Sequence, residues 1–290
     1  MVDASNKVVL VTGANSGIGL EASVKLARTG ATLVLVGRNP EKVQAAVEEV
    51  TRRASQDASS GSAGRVTSLL CDFSSQASIR ELADAFRKDH ARLDILVNNA
   101  GSVSPTRQVT VDGFEQTFAV NHLGYFLLTT LLLDLLKASA PARIVNVSSV
   151  GHTRGTMDFD DLQMEKDYNV MRAYGRSKLG NVLFTRELAK RLEGTGVIVN
   201  CLHPGTVRTS IWDHAPWYTK PLLAVGKLFM ISAEEGGDTI VYLATSPEVE
   251  GKTGGYYEKN RLIDPAPLAK DEALAKKLWD VSNTLVHSPS

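Results

Sequence analysis

Sulfur chemistry is nearly missing from this chain. Its 290 residues include two cysteines, Cys71 and Cys201, and each closes an apolar run, VTSLLC and VIVNC. That excludes a disulfide scaffold. It reads as two buried thiols at strand ends, in a reducing, cytoplasmic setting. An excess of one charge is missing too: Lys+Arg and Asp+Glu each total 32, so the formal net charge is zero. Nucleic-acid binders usually show a basic excess or patch, and that class is set aside. No His/Cys/Asp cluster has metal-ligand spacing, so no metal is expected. The N-terminus, MVDASNKVVLVTG, lacks the apolar core of a signal peptide. The most apolar stretch, YFLLTTLLLDLLK, is short and contains Asp134 and Lys137. It reads as a core helix, and no transmembrane segment is expected.

What remains is a globular composition, 43% hydrophobic and 22% charged. Strand-like and helix-like runs alternate. KVVLVT (7–12), TLVLVG (32–37), RVTSLLC (65–71), LDILVN (93–98), ARIVNVSS (142–149) and VIVNCLH (197–203) read as strands. Helices are expected at about 17–28, 41–53, 78–89 and 111–137, and from Ala173 onward. A last amphipathic helix is expected at about 267–286. The strands are near-continuous apolar runs, as strands covered on both faces are. The alternation predicts an α/β fold: a single-domain, Rossmann-type, doubly wound parallel sheet with helices on both faces, spanning 1–290. ASQDASSGSAG (54–64) reads as a surface loop.

The first strand runs into TGANSGIG. Gly13, Gly17 and Gly19 stand where strand turns into helix, around Asn15, Ser16 and Ile18. Glycine there permits positive φ and close approach to a pyrophosphate, and the helix N-terminus favours an anion. A NAD site usually carries an acid about 20 residues on, for the ribose 2′-OH. Here the second strand ends VGRNP. Arg38 is either a solvated strand-end arginine or the partner of a 2′-phosphate, and the second reading predicts NADP(H). Asp72 and Phe73, then Asn98, Ala100 and Gly101, fall at the ends of the next two strands. Ligands of doubly wound sheets bind at that edge. Asp72 is placed to accept from an adenine amino group, and Asn98 and Gly101 to let the loop pass the adenosine ribose. Each of these is also a common turn former.

TGANSGIG, NNAG, the asparagine of VNHLGYF, the second serine of IVNVSS, Y-x-x-x-K and HPGTVRT occur together and in order. In this the chain resembles the short-chain dehydrogenase/reductases over nearly all of residues 6–260. EKDYNVMRAYGRSKLGNVLFTREL and VNCLHPGTVRT resemble the branch of microsomal retinol dehydrogenases and retinal reductases. Light-dependent protochlorophyllide reductase is a more distant relative. The resemblance implies a catalytic tetrad of Asn121, Ser149, Tyr174 and Lys178. Tyr174 would exchange the proton, Lys178 would favour its anion and bind the nicotinamide ribose, and Ser149 would polarise the carbonyl. Asn121 would hold a water that relays protons from Lys178. Pro204, Gly205, Val207 and Thr209 would contact the nicotinamide end and the pyrophosphate. Of the paired serines, Ser148 is expected to bond locally. His122, His152 and His203 are expected in structural or surface roles, and Ser177 only to fit its helix to the sheet.

Tyr174 follows Ser149 by 25 residues, a longer gap than in many members. The insert is expected to border the pocket through Met157, Phe159 or Leu162. Residues 206–232 would form a lid rich in Trp212, Trp217, Tyr218 and other apolar side chains. These suit a lipophilic carbonyl or alcohol, or simply pack the lid. Only about six residues precede the first strand, so a soluble relative is expected. A homodimer or homotetramer stays open. The expected activity is NADP(H)-dependent interconversion of a carbonyl and an alcohol. Two alternatives are reduction of an activated carbon–carbon double bond and cofactor sensing without turnover. No cysteine lies near the tetrad in sequence, which weighs against the pigment-type double-bond reaction.

Overall fold

Runs of Val, Ile and Leu supply the strands of one sheet. They are β1 (Val8–Thr12), β2 (Thr32–Gly37), β3 (Val66–Leu70), β4 (Ile95–Asn98), β5 (Ala142–Val147), β6 (Val197–Leu202), β7 (Tyr256–Glu258) and β8 (Arg261–Ile263). The computed structural model describes residues 4–56, 64–205 and 232–287. The expected lid at 206–231, with Val207 and Thr209, lies outside the described residues. The strand order is β3-β2-β1-β4-β5-β6-β7-β8. Among the described residues pairing is parallel through β7, and only β7–β8 is antiparallel. The order reverses between β1 and β4, which opens a crevice at their carboxyl ends.

The helices are α1 (Gly17–Ala27), α2 (Pro40–Gln56), α3 (Gln76–Asp89), α4 (Gln116–Ala138), α5 (Val170–Arg191), α6 (Ala233–Thr245) and α7 (Glu272–His287). Alternate strand residues feed two cores. Leu10, Leu96, Ile144 and Val199 face α3, α4, α5 and α7. Val9, Val11, Val97, Val145 and Val147 face α1, α2 and α6. Both faces are therefore apolar, which is why the strands read as unbroken hydrophobic runs.

Several helix boundaries differ from expectation: α2 runs on to Gln56, into the expected 54–64 loop, and α5 begins at Val170 rather than Ala173. α4 begins at Gln116 rather than near Val111, because Val109 and Glu115 pair in a small bridge. The Glu115 carboxylate then caps the Thr117 and Phe118 amides at 2.8 and 2.7 Å. The C-terminal segment divides into a 3-10 turn, Pro267–Lys270, and α7, with the Asp271 carboxylate accepting from the Leu274 amide. By length and composition α4 is apolar enough to cross a membrane. In this fold 72% of its apolar window is buried, as in a core helix.

At the opposite edge of the sheet, Asp94 is 1% exposed. It accepts from the Val8 amide, Lys7 Nζ and the Arg92 guanidinium. Burial raises its carboxyl, but the bonds from Arg92, Val8 and Lys7 outweigh this and hold it below its ordinary 3.8. Asp94→Asn is expected to lower stability by about 2–4 kcal/mol at pH 7. A depressed carboxyl stabilises above its unfolded value and loses that contribution as pH falls through the folded one. Urea denaturation from pH 7 to pH 3.5 should therefore show the gap between wild type and variant closing only at the acid end.

Candidate active site

The crevice is a groove of about 270 Å³ lined by Gly13, Asn15, Gly37, Arg38, Lys42, Asp72, Phe73, Ala100 and Gly101, among others. These residues suit a nicotinamide dinucleotide on three counts. First, Gly13 and Gly17 adopt φ of +63° and +57°, conformations that permit the tight turn. Second, Ser16 leads α1 without a side-chain cap, and no acid occupies the first turn. The leading amides thus stay available to an anion. Third, Arg38, 74% exposed, stands at the end of β2, and Lys42, in the first turn of α2, lines the same groove. Lys42 was not singled out from the sequence.

Several expected contacts are otherwise engaged. The Ile18 side chain lies in the core under α1, so only its backbone faces the turn. Asp72 Oδ1 accepts from the Ser74 amide and hydroxyl, and Oδ2 lies 4.0 Å from Arg38. Asn98 is fully buried and bonds Thr129 Oγ1 and Asn146 Oδ1 at 2.9 and 2.8 Å. It joins β4 to β5 and α4, and its side chain does not reach the groove. The next residue, missed in the sequence, governs the turn. Asn99 Nδ2 donates to the Thr12 and Gly13 carbonyls at 2.8 and 3.1 Å. A Cβ at Gly19 would lie 2.4 Å from that nitrogen, so Gly19 is the residue that lets the clamp close.

At the same edge, β5 runs out into Ser149 and α5 presents Tyr174 and Lys178. Ser149 is extended and starts a 3-10 turn, Val150–Arg154, and its Oγ accepts from the Gly151 amide. Half-buried Tyr174 lies against this serine turn, where a Cβ at Gly151 would meet Tyr174 Cε1 at 3.1 Å and Ser149 Oγ at 3.4 Å. Lys178 is 3% exposed, donates to the Val147 carbonyl at 3.1 Å, and lies 5.8 and 5.9 Å from the ring centres of Tyr174 and Tyr125. Burial pushes its amine down to about 8. Burial also raises the Tyr174 phenol, with the nearby Ser149 hydroxyl acting the other way. The expectation that Lys178 lowers this phenol is therefore not met, because desolvation of both groups is the larger effect. Asn121 stands in a π turn, Ala119–Leu123, inside α4. Its Oδ1 accepts from the Ser102 amide, and its Nδ2 donates to the Ser102 carbonyl and Ser177 Oγ. Pro204 and Gly205 follow β6 at this edge, where the Gly205 amide donates to His203 Nδ1.

The short-chain dehydrogenase family model matches residues 7–216. The chain belongs to the short-chain dehydrogenase family. It is 45% identical to human retinol dehydrogenase 14 and 43% identical to human retinol dehydrogenase 13, in each case over 97% of this chain and 86% and 84% of the relative. An uncharacterized protein from Mycobacterium paratuberculosis shares the fold at TM-score 0.80 and 30% identity, over 99% of this chain and 96% of that one. The Pseudomonas aeruginosa RhlG/NADP complex aligns at TM-score 0.69 and 28% identity, over 88% and 94%. This is a retinol dehydrogenase-like short-chain dehydrogenase: an oxidoreductase that works between a carbonyl and an alcohol with a nicotinamide cofactor.

Further departures from the sequence reading concern what backs this dehydrogenase site. Ser148 does not bond locally: its hydroxyl donates to the Lys178 carbonyl, 30 residues on. Ser177 does more than fit its helix, since it ties Asn121 to the Tyr174 carbonyl. His122, His152 and His203 are all buried, in keeping with the structural rather than the surface alternative. Cys201, distant in sequence, lies beside Lys178, and burial pushes its thiol up to about 12. Within the insert, Leu162 is buried, and Met157 and Phe159 pack on the main core. Lys277 of α7 covers the Phe159 ring at 4.3 Å. Arg176 fastens the insert, donating to the Thr156, Asp161 and Leu162 carbonyls.

Asn99→Ala should loosen the dinucleotide turn without touching Tyr174 or Lys178. The expected result is NADP(H) binding weakened about 5- to 100-fold, the loss of one or two buried hydrogen bonds. Nicotinamide fluorescence titration checks it.

Proposed function

We propose that this dehydrogenase is an NADP(H)-dependent reductase of lipophilic aldehydes or ketones, reversible toward the alcohol. The carrying observation is the meeting of the Tyr174 phenol, the Ser149 hydroxyl and the buried Lys178 amine at the carboxyl edge of the sheet, beside the dinucleotide groove. When bound, the reduced nicotinamide supplies a hydride to the carbonyl carbon. Tyr174 gives its phenolic proton to the carbonyl oxygen, and Ser149 donates a hydrogen bond to that same oxygen as charge grows on it. Lys178 provides a positive charge in a dry site, where it acts strongly on the phenolate left behind. Asn121 holds the Ser102 loop and Ser177 and keeps the helix of Tyr174 in register with the groove.

Arg38 and Lys42 support NADP(H) over NAD(H), since both cations line the groove beyond β2 and would suit a 2′-phosphate, and Asp72 is partly engaged in its own turn. The NADP-containing neighbour agrees with this choice. A lipophilic substrate is supported by Val150 and Met171, exposed at 52% and 43% next to the serine turn and the start of α5, and by the retinol dehydrogenases among the relatives. The cytoplasm fits two buried free thiols.

NADPH oxidation followed against a panel of aldehydes, ketones and enones tests the reading. Tyr174→Phe should reduce kcat by about 10²–10⁴-fold and leave NADPH affinity nearly intact. Turnover surviving in that variant would remove the role given to Tyr174. Arg38→Ala should lower kcat/KM with NADPH by about 10- to 100-fold and leave NADH almost unaffected, the loss of a charge-assisted contact. A wild-type preference for NADH would overturn the cofactor assignment.

A further inference from the structure

The serine turn lies directly on the tyrosine. A Cβ at Gly151 would meet Tyr174 Cε1 at 3.1 Å and Ser149 Oγ at 3.4 Å. A tilt of residues 149–152 therefore moves both groups at once. His152 sets that tilt. Its imidazole is 2% exposed. Nδ1 lies 2.8 Å from the Ser149 carbonyl oxygen, and Nε2 lies 3.0 Å from the Ala266 amide nitrogen. A carbonyl only accepts and an amide N–H only donates. Nδ1 must therefore carry the proton and Nε2 the lone pair, so two backbone groups select one neutral tautomer. Burial holds the imidazole below its ordinary proton affinity, with the bond to the Ser149 carbonyl acting the other way.

The surroundings make this a clamp between two parts of the chain. Tyr256 of β7 packs its ring 4.8 Å from the imidazole, with its hydroxyl 3.2 Å from Nδ1 and 3.4 Å from the Ser149 carbonyl oxygen. Ala266 lies between β8 and the turn that leads into α7, and α7 packs on α5, the helix of Tyr174. Truncating His152 would leave the Ser149 carbonyl with the His152 amide and the Tyr256 hydroxyl as donors. The carbonyl would stay satisfied but lose its lateral hold.

We propose that His152 is a positioning residue of this enzyme: as the Nδ1–H tautomer it fixes the Ser149 carbonyl, and with it the Ser149 hydroxyl against Tyr174, in a register taken from the Ala266 amide. The inference rests on the reading of Ser149 and Tyr174 given above. Two variants separate its two bonds. His152→Asn keeps an N–H near the Nδ1 position and gives up the bond from Ala266. His152→Gln extends an acceptor toward Ala266 and gives up the Nδ1 donor. With NADPH and decanal as probe, His152→Gln should lower kcat about 10- to 100-fold while NADPH affinity stays within about twofold, and His152→Asn should recover most of the loss. Equal kcat in wild type and both variants would overturn the proposal. So would equal losses in both that track a fall in Tm.

A second measurement needs no turnover. Long-range ¹⁵N–¹H spectra of the wild-type protein at pH 7, with His152 assigned by its disappearance in His152→Asn, should show a neutral Nδ1–H imidazole. An Nε2–H tautomer or an imidazolium would overturn the clamp. Wild-type protein inactive on every carbonyl probe would instead overturn the reading it rests on, and the spectrum would still decide the tautomer.

Discussion

An amine buried without a carboxylate is the constraint around which the site is built. Among the described residues Lys178 has no acidic partner. It has one carbonyl at 3.1 Å and two aromatic rings near 6 Å. Cation–π contacts and a single carbonyl offset only part of the desolvation, and the depressed amine records the remainder. An acid placed here would hold the lysine charge locally. Neutral partners leave that charge for a ligand or a developing phenolate. The polar residues that interrupt the apolar strands follow from this. Asn181 donates to the same Val147 carbonyl that receives the lysine. Thr185 bonds back to the Asn181 carbonyl, Asn146 bonds to Thr185, and Asn98 bonds to Asn146. This ladder crosses β4 and β5 and meets α5 beneath the amine, and it leaves Asn98 Oδ1 and Asn181 Oδ1 without partners among the described residues.

The two halves of the site are held by different physics. The dinucleotide end is mostly backbone: positive-φ glycines, the uncapped start of α1, and the Asn99 clamp that keeps the turn close. The chemical end is mostly side chains on rigid elements, Ser149 at a strand end and Tyr174 and Lys178 on a 22-residue helix. Asn121 connects them. The π turn inserts one extra residue into α4 and so re-aims a side chain that would otherwise follow the apolar face. That residue then holds the Ser102 loop and Ser177 together.

Sheet, layers and cofactor edge were legible because they follow from local pattern. Both-face burial writes itself as continuous apolar runs, and a strand-to-helix turn needs glycine wherever it is used. Tyr174 and Lys178 were legible because helical spacing puts i and i+4 on one face. Partners were not legible. NNAG gives two asparagines, and only the three-dimensional turn shows that Asn98 faces the β4–β5 ladder while Asn99 reaches the Thr12 and Gly13 carbonyls. Ser148 bonds 30 residues away, and Cys201 reaches Lys178 only through the packing of β6 under α5. The acidity of Tyr174 escaped for a related reason: spacing shows that a cation is near, but burial decides the balance.

The C-terminal segment extends the same logic past the sheet. Trp279 of α7 packs against Phe126 and Phe184 at 4.8 and 5.8 Å, and Arg191 lies over its ring at 4.3 Å. Ser282 bonds His122, which is fully buried within the π turn and held down to about 4 by burial. An imidazole so far below neutrality stays uncharged, and α7 can lie on it without burying a second cation close to Lys178. Gly180 makes room for that ring, since a Cβ there would lie 2.9 Å from His122 Nδ1. The α7 helix is thus seated on the two helices that carry Asn121, Tyr174 and Lys178. Fraying of the C-terminus would be felt first as lost order in the π turn and the serine turn, before it reached the strands.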